Sequence, residues 1–337
     1  MQPAGSFFAY PAASELITLD SHETPRFWVT IDTEEDFDWN APFARTGYRL
    51  ASVPALAECQ GYFKRAGVRP IYLVDWPIVT DDRAAEILGA AQQAGECEIG
   101  AQLHPWVTPP HDEEVDERNS YTGNLPAELQ RAKMTALRDA IRDRFGVQPT
   151  AYRAGRYGLG PDTAAMLAEL GFRCDTSVRS GFDYRAGQGP DYRDAPLHPW
   201  WVRTGQGAVL EMPVTTVFSG LFGGAGRWLY HRTSSNSHAA LARLGLAERI
   251  ALTPEGIPAE RACRAIDIAI DLRLPVLNFS FHSPSLQPGN TPYVRSQADL
   301  DLFYRWWDVV LGHLARRGVE PTTGAEIVAM AERKVAR

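Results

Sequence analysis

The chain has 337 residues, 45% of them hydrophobic, and its 34 basic against 41 acidic side chains leave a net charge of −7. A chain of that size buries a large core without staples, and an acidic balance with no basic stripe argues against a general nucleic-acid binder, where phosphates demand cations. No run approaches the roughly 18 apolar residues of a membrane span. Residues 1–25 read as an N-terminal extension with neither signal peptide nor anchor, so cytoplasmic residence is the expectation.

Short apolar runs alternate with helical patterns. Strands are predicted at 27–31, 70–74, 98–103, 150–153, 171–175, 209–214 and 275–281. Helices are predicted at 52–66, 83–94, 126–145 and 161–170. In the third, Leu129, Met134, Leu137 and Ile141 recur at helical spacing, and Pro161 opens the fourth. A last helix, 299–317, carries Leu300, Phe303, Trp307, Val310, Leu311 and Leu314 on one side, a stripe that reads as core packing. The alternation predicts an α/β fold with a parallel sheet covered by helices, and seven repeats fit a (β/α) barrel better than an open sheet. One domain is expected over 1–337. The polar stretch 105–125 and the Gly-, Arg- and aromatic-rich insertions within 179–240 are expected to form cleft walls. The four cysteines lack C-x-x-C spacing and read as small buried residues. The glycine-rich 220–226 does not match a nucleotide-binding loop.

In such barrels chemistry sits at the C-terminal strand ends. The first ends Ile31-Asp32-Thr33-Glu34-Glu35. Alternation puts Asp32 and Glu34 on one face and Glu35 on the other, if the strand continues. Two carboxylates so placed suit a division of labour between metal and proton, although acidic loops after strands are common. The third strand ends Gln102-Leu103-His104-Pro105-Trp106, with Gly100, Gln102 and His104 on its polar face. The last alternates Leu277, Phe279 and Phe281 with Asn278, Ser280 and His282, again ending in a histidine suited to proton transfer. The fourth, Tyr152-Arg153-Ala154-Gly155-Arg156-Tyr157-Gly158, offers Arg153 as partner to an acid and a backbone amide near Tyr157 as an oxyanion donor. Asp75, Asp175 and Glu211 lie at or near other strand ends. Each could point inward or be a satisfied polar group.

Taken in order, these motifs resemble the polysaccharide deacetylase superfamily, the carbohydrate esterase family 4-like group. The phrases EIGAQLHPWVTPP, YRAGRYGLGPDT and FSFHSPSLQPGNTPY look like its WalW-type bacterial branch. The resemblance spans roughly residues 27–327. It implies a distorted (β/α) barrel of about seven parallel strands, of the polysaccharide deacetylase (NodB-homology) type. It also implies metal-assisted hydrolysis of an N-acetyl amide, with Asp32 as base, His282 as acid, and Arg153 and Tyr157 in support. Glu34, His104 and Gln102 would hold a divalent metal, zinc as the first choice. The chain departs from the family at one point. Gln102 and Trp106 stand where the family has its two metal histidines, and His104 falls between them. Asp75, Trp106, Glu211 and Trp200 are candidate substrate contacts. Trp201, Phe222, Trp228 and Tyr230 could stack sugars or simply pack the loops. The expected partner is a carbohydrate or other small molecule; homo-oligomerisation is left open. Two further readings stand beside this one: a metal-independent amidohydrolase of a cyclic imide or ureide, and a catalytically silent carbohydrate-binding barrel.

Overall fold

The computed structural model describes residues 5–20, 23–38, 41–223, 225–233 and 235–335; Trp39 and Gly224, at the edges of two stretches discussed above, lie outside them. The strands are β1 (Arg26–Thr33), β2 (Ile71–Val74), β3 (Glu98–Leu103), β4 (Ala151–Ala154), β5 (Cys174–Asp175), β6 (Trp200–Thr204), β7 (Gly207–Glu211), β8 (Thr216–Ser219), β9 (Glu248–Ala251), β10 (Val276–His282) and β11 (Glu320–Pro321). The helices are α1 (Leu56–Arg65), α2 (Trp76–Thr80), α3 (Asp82–Gln93), α4 (Ala127–Phe145), α5 (Thr163–Glu169), α6 (Ala225–Arg232), α7 (Ser235–Arg243), α8 (Ala259–Asp271), α9 (Gln297–Arg316) and α10 (Gly324–Val335).

The main sheet runs β10-β1-β2-β3-β4-β5-β7, every pair parallel, with β6 antiparallel on the β7 edge and β11 beside β1. All seven predicted strands are there. β1 is buried at every residue but its first, as strands covered on both faces are. Among the described residues no strand ladder closes the ring between β7 and β10. Irregular chain bridges the gap instead: Val214 N donates to Val178 O (3.0 Å), Thr215 N to Asn278 O (3.3 Å), Leu252 N to Thr215 O (3.1 Å) and Ser280 N to Leu252 O (3.1 Å).

Strand alternation sorts the side chains. Trp28, Ile71, Leu73, Ala151, Cys174, Leu210 and Val276 form an inner apolar cluster, while Phe27, Val29, Ile31, Val209 and Phe279 pack outward under the helices. Above the inner layer the inward positions turn polar: Thr30, Asn278 and Arg153, then Asp32, Gln102, Ser280 and His282. This layering fills the interior and leaves the chemistry at one end.

Two expected loops hold regular structure. The 179–208 stretch contains β6, and 216–240 contains β8 and α6 together with the start of α7. These elements are only four to nine residues long, so neither a period of 2 nor of 3.6 stood out. The 105–125 loop is held by Lys133 of α4, whose Nζ donates to Pro105 O (2.9 Å), Thr108 O (2.6 Å) and Pro110 O (2.6 Å) and pairs with Glu113 (3.1 Å). Among the described residues, no helix is long and apolar enough to cross a membrane.

Candidate active site

Asp32 and His282 are register partners on adjacent strands β1 and β10. Each is held by a second charged residue. Arg153, on β4 across the barrel, is 1% exposed and uses all five of its N–H donors. Nη1 donates to Asp32 Oδ1 and to Ser280 Oγ (2.8 Å). Nη2 donates to Thr30 Oγ1 (2.9 Å) and Thr176 Oγ1 (3.1 Å), and Nε to Thr176 O (3.0 Å). Arg153 has no donor left for a ligand; it fixes Asp32.

His282 Nδ1 lies 2.7 Å from Glu255 Oε2, and Glu255 Oε1 accepts from the His282 backbone N–H (3.1 Å) and from Ser285 Oγ (2.5 Å). The imidazole therefore turns Nε2 toward Asp32 Oδ2, 3.7 Å away. Burial alone would lower the His282 pKa, but Glu255, Glu34 and Asp32 outweigh it and push it up to about 10. At neutral pH this histidine carries a proton to give.

Glu34 and His104 face each other with His104 Nε2 at 3.4 Å from Glu34 Oε2. Gln102 Nε2 donates to the same oxygen (2.9 Å) and lies 3.3 Å from His104 Nε2. Burial raises the Glu34 pKa to about 8, with Asp32 and Glu35 adding to it and the two histidines opposing. Behind His104, Glu35 Oε2 sits 2.9 Å from Nδ1, Glu35 Oε1 accepts from Trp106 Nε1 (2.8 Å), and Asp75 Oδ2 accepts from Glu35 N (3.0 Å). Glu35, Asp75 and His104 form a buried group whose donor atoms lie within 4.8 Å of one another, compact enough to hold a metal ion. Its carboxylates already have protein partners, Asp75 also capping α2 through Ile78 N (3.0 Å). Ordered support of this kind fixes the tautomer and direction of a working imidazole.

The β4 motif lets the chain pass close to that imidazole. A Cβ on Gly155 would fall 2.5 Å from His104 Cδ2 and 2.6 Å from Leu103 O, so only glycine fits. Arg156 (φ 54°) and Tyr157 (φ 60°) then adopt left-handed conformations in succession, a strain of order 1 kcal/mol or more each. Tyr192 Oη donates to Tyr157 O (2.6 Å) and holds the turn.

Asp32, Glu34, Gln102, His104, Trp106, Arg153, Tyr157 and His282 line one cavity of about 340 Å³. Further wall comes from Phe37, Phe43, Tyr121, Arg156, Arg179, Tyr184 and Tyr293. Three expected substrate contacts lie off this wall. Glu211 and Asp175 point outward from their strands and share a buried site, where burial and Asp175 push the Glu211 carboxyl well up. Trp200 is 1% exposed and packs edge-on against Tyr10. Asp75 is spent on its cap and on Glu35. The aromatics Trp201, Phe222, Trp228 and Tyr230 also lie off the wall, as do the described residues of 216–240. Of the 179–240 insertions, Arg179 and Tyr184 line the cavity. Sequence reasoning passed over Glu255, Glu35 and Arg179. Glu255 sits in a Pro/Gly turn, and Glu35 lies beyond the last residue of β1, where alternation no longer predicts direction.

No family model matches the chain, and no curated protein matches it in sequence. Solved structures do. One from Parabacteroides distasonis, with the provisional description glycoside hydrolase/deacetylase, aligns at TM-score 0.60 and 11% identity over 92% of this chain and 71% of that one. The two share a fold. The 4-alpha-glucanotransferase of Thermococcus litoralis aligns at 0.54 and 12% identity over 91% of this chain, which spans 40% of that enzyme's chain. A Mycobacterium smegmatis protein provisionally described as a polysaccharide deacetylase aligns at 0.46 and 18% identity over 92% and 98% of the two chains. A barrel found in both a glucanotransferase and a protein described as a deacetylase does not choose the reaction; the side chains at its mouth must.

Proposed function

We propose that the protein hydrolyses a carbon–nitrogen amide bond, and that its substrate is an N-acetylated sugar or glycan precursor. The observation that carries this is the Asp32–His282 pair, two proton-handling groups side by side with opposite supports. Arg153 pairs with Asp32 and orients it, as the proton acceptor for an attacking water requires. Glu255 keeps His282 protonated, as a donor to a departing amine requires. The Tyr157 amide, in the left-handed turn at the cavity wall, is the proposed oxyanion donor.

The residues also fit a divalent cation, with zinc as first choice. Glu34 Oε1 and Gln102 Oε1 are buried oxygens without hydrogen-bond partners, and His104 presents Nε2 beside them. Glu34, His104 and Gln102 would hold the ion, which when bound supplies Lewis-acid polarisation of the amide carbonyl.

A second reading rests on Gln102. Its Nε2 lies between Glu34 Oε2 and His104 Nε2, so an amide donor stands between two of the proposed ligands. That favours a metal-independent amidohydrolase of a cyclic imide or ureide. Acetate release from a panel of N-acetyl sugars, against ring opening of cyclic imides with and without chelator, separates the two. Acetate release that Asp32→Asn and His282→Ala abolish supports the first reading. Turnover of neither panel returns the barrel to the silent-binder reading.

A further inference from the structure

Three arginines line the cavity, and their donors are committed to different degrees. Arg153 is saturated. Arg156 stacks on Tyr121 (4.2 Å) and Phe43 (4.9 Å), bonds Ser120, and has the Glu117 carboxylate 3.5 Å away. Arg179 has no such partner. Aromatic rings flank it, with Cζ 3.9 Å from the Phe182 centroid and 4.8 Å from that of Tyr157. Among the described residues its one hydrogen bond runs from Nη1 to Tyr184 Oη at 3.2 Å. Its Nε–H is buried with no partner, and no carboxylate among the described residues pairs with it. Arg249 Cζ also lies 3.4 Å from the Phe182 centroid; it bonds Gly181 O (2.7 Å) and lacks an ion pair among the described residues.

We propose that Arg179 is an anion subsite, and that the substrate carries an oxyanion, a carboxylate in the first instance, beside its scissile amide. This deepens the reading above of an amide hydrolase acting on an N-acetylated sugar and rests on it for the identity of the substrate. With Nη1 committed to Tyr184, the guanidinium keeps its Nε–Nη2 edge, the edge that matches a planar carboxylate with two parallel N–H···O bonds. The flanking Phe182 and Tyr157 rings and the Tyr184 hydrogen bond restrain the side chain before a ligand arrives, so little of its freedom is lost on binding. The cavity is therefore bipolar. Asp32, Glu34 and His282 work at one pole, and an unpaired cation framed by Tyr157, Tyr184 and Phe182 stands at the other. Tyr157 joins them: Arg153 lies 6.0 Å from one ring whose centroid is 4.8 Å from Arg179. A neutral N-acetyl sugar would leave that cation and its buried N–H uncompensated, and an acidic one would satisfy both.

The test is calorimetric binding, which is independent of turnover, with 2-acetamido-2-deoxyglucuronate, the 6-phosphate of N-acetylglucosamine and N-acetylglucosamine itself. Wild type is expected to bind an acidic sugar at least about tenfold more tightly than the neutral one. Tighter binding of the uronate than the phosphate identifies the carboxylate; the reverse identifies phosphate. Arg179→Gln should erase the difference. Arg179→Lys, which keeps bulk and charge but loses the fork, should fall between and serves if the glutamine variant does not fold. If no sugar binds, titration with acetate and inorganic phosphate reads the subsite directly. Equal affinity for acidic and neutral sugars overturns the proposal, as does anion binding that survives both substitutions. Arg179-dependent binding without acetate release leaves the subsite standing and refutes deacetylation.

Discussion

Replacing Arg153 by methionine should destabilise the fold sharply, and the size of the effect follows from the contacts. The residue is 1% exposed and its partner Asp32 is 2% exposed. Methionine roughly fills the aliphatic stem and removes the charge and all five donors. Asp32 then loses its nearest cation and keeps only His282 Nε2, 3.7 Å away, and breaking a buried pair from one side costs roughly 3–5 kcal/mol. Ser280, Thr30 and Thr176 lose partners as well, but their hydroxyls can rotate to others, so they add less. At roughly 2 °C per kcal/mol, the lower end for domains of some hundreds of residues, the melting temperature should fall by about 6–10 °C. Urea unfolding of Arg153→Met, Asp32→Asn and the double variant completes the cycle. A neutral asparagine needs no cation, so the double variant should be more stable than the sum of the singles implies, by at least about 1 kcal/mol. A single-variant cost under about 1 kcal/mol, or strict additivity, would show that Arg153 does not hold Asp32 by charge.

Glu255→Gln should move the alkaline limb of the activity profile to lower pH, because Glu255 is the chief group raising His282 to about 10; an unmoved limb would remove His282 as the acid. The sign for stability follows too. A histidine whose pKa is raised by folding stabilises fully below its unfolded value near 6.5 and loses that contribution as pH rises through about 10, which melting curves across that window would register. Elemental analysis separates the two places that share His104. Glu34→Gln should abolish bound metal, while Glu35→Gln should weaken binding about 10–100-fold as a supporting residue does; metal retained in Glu34→Gln and absent in Glu35→Gln would put the ion with Glu35 and Asp75. Gly155→Ala should lower turnover by displacing the His104 ring, whose Cδ2 a Cβ would meet at 2.5 Å; unchanged kinetics in the folded variant would show that His104 has room to shift at no cost.

Much of this was legible in the chain itself. Apolar runs of strand length separated by helical periods carry the seven parallel strands, because each strand must be hydrophobic on both faces to lie between helices and barrel interior. Alternation then places Asp32, Gln102, Arg153 and His282 on inward faces, because a strand's side-chain direction is a local property of its backbone. Alternation also bears on Glu211. It turns outward while Leu210 and Met212 of the same segment face in, and the exposed end of a strand was too coarse a guide to reveal that. What the tertiary structure alone decided are the residues beyond the strands. Glu255 reaches His282 from 27 positions earlier, Glu35 folds back under His104 once β1 has ended, and Arg179 is flanked by two rings of the 153–184 region. Loop residues obey no period. Their directions are set by hydrogen bonds and ring contacts to groups distant in sequence, and those contacts exist only when the barrel has brought the strand ends together.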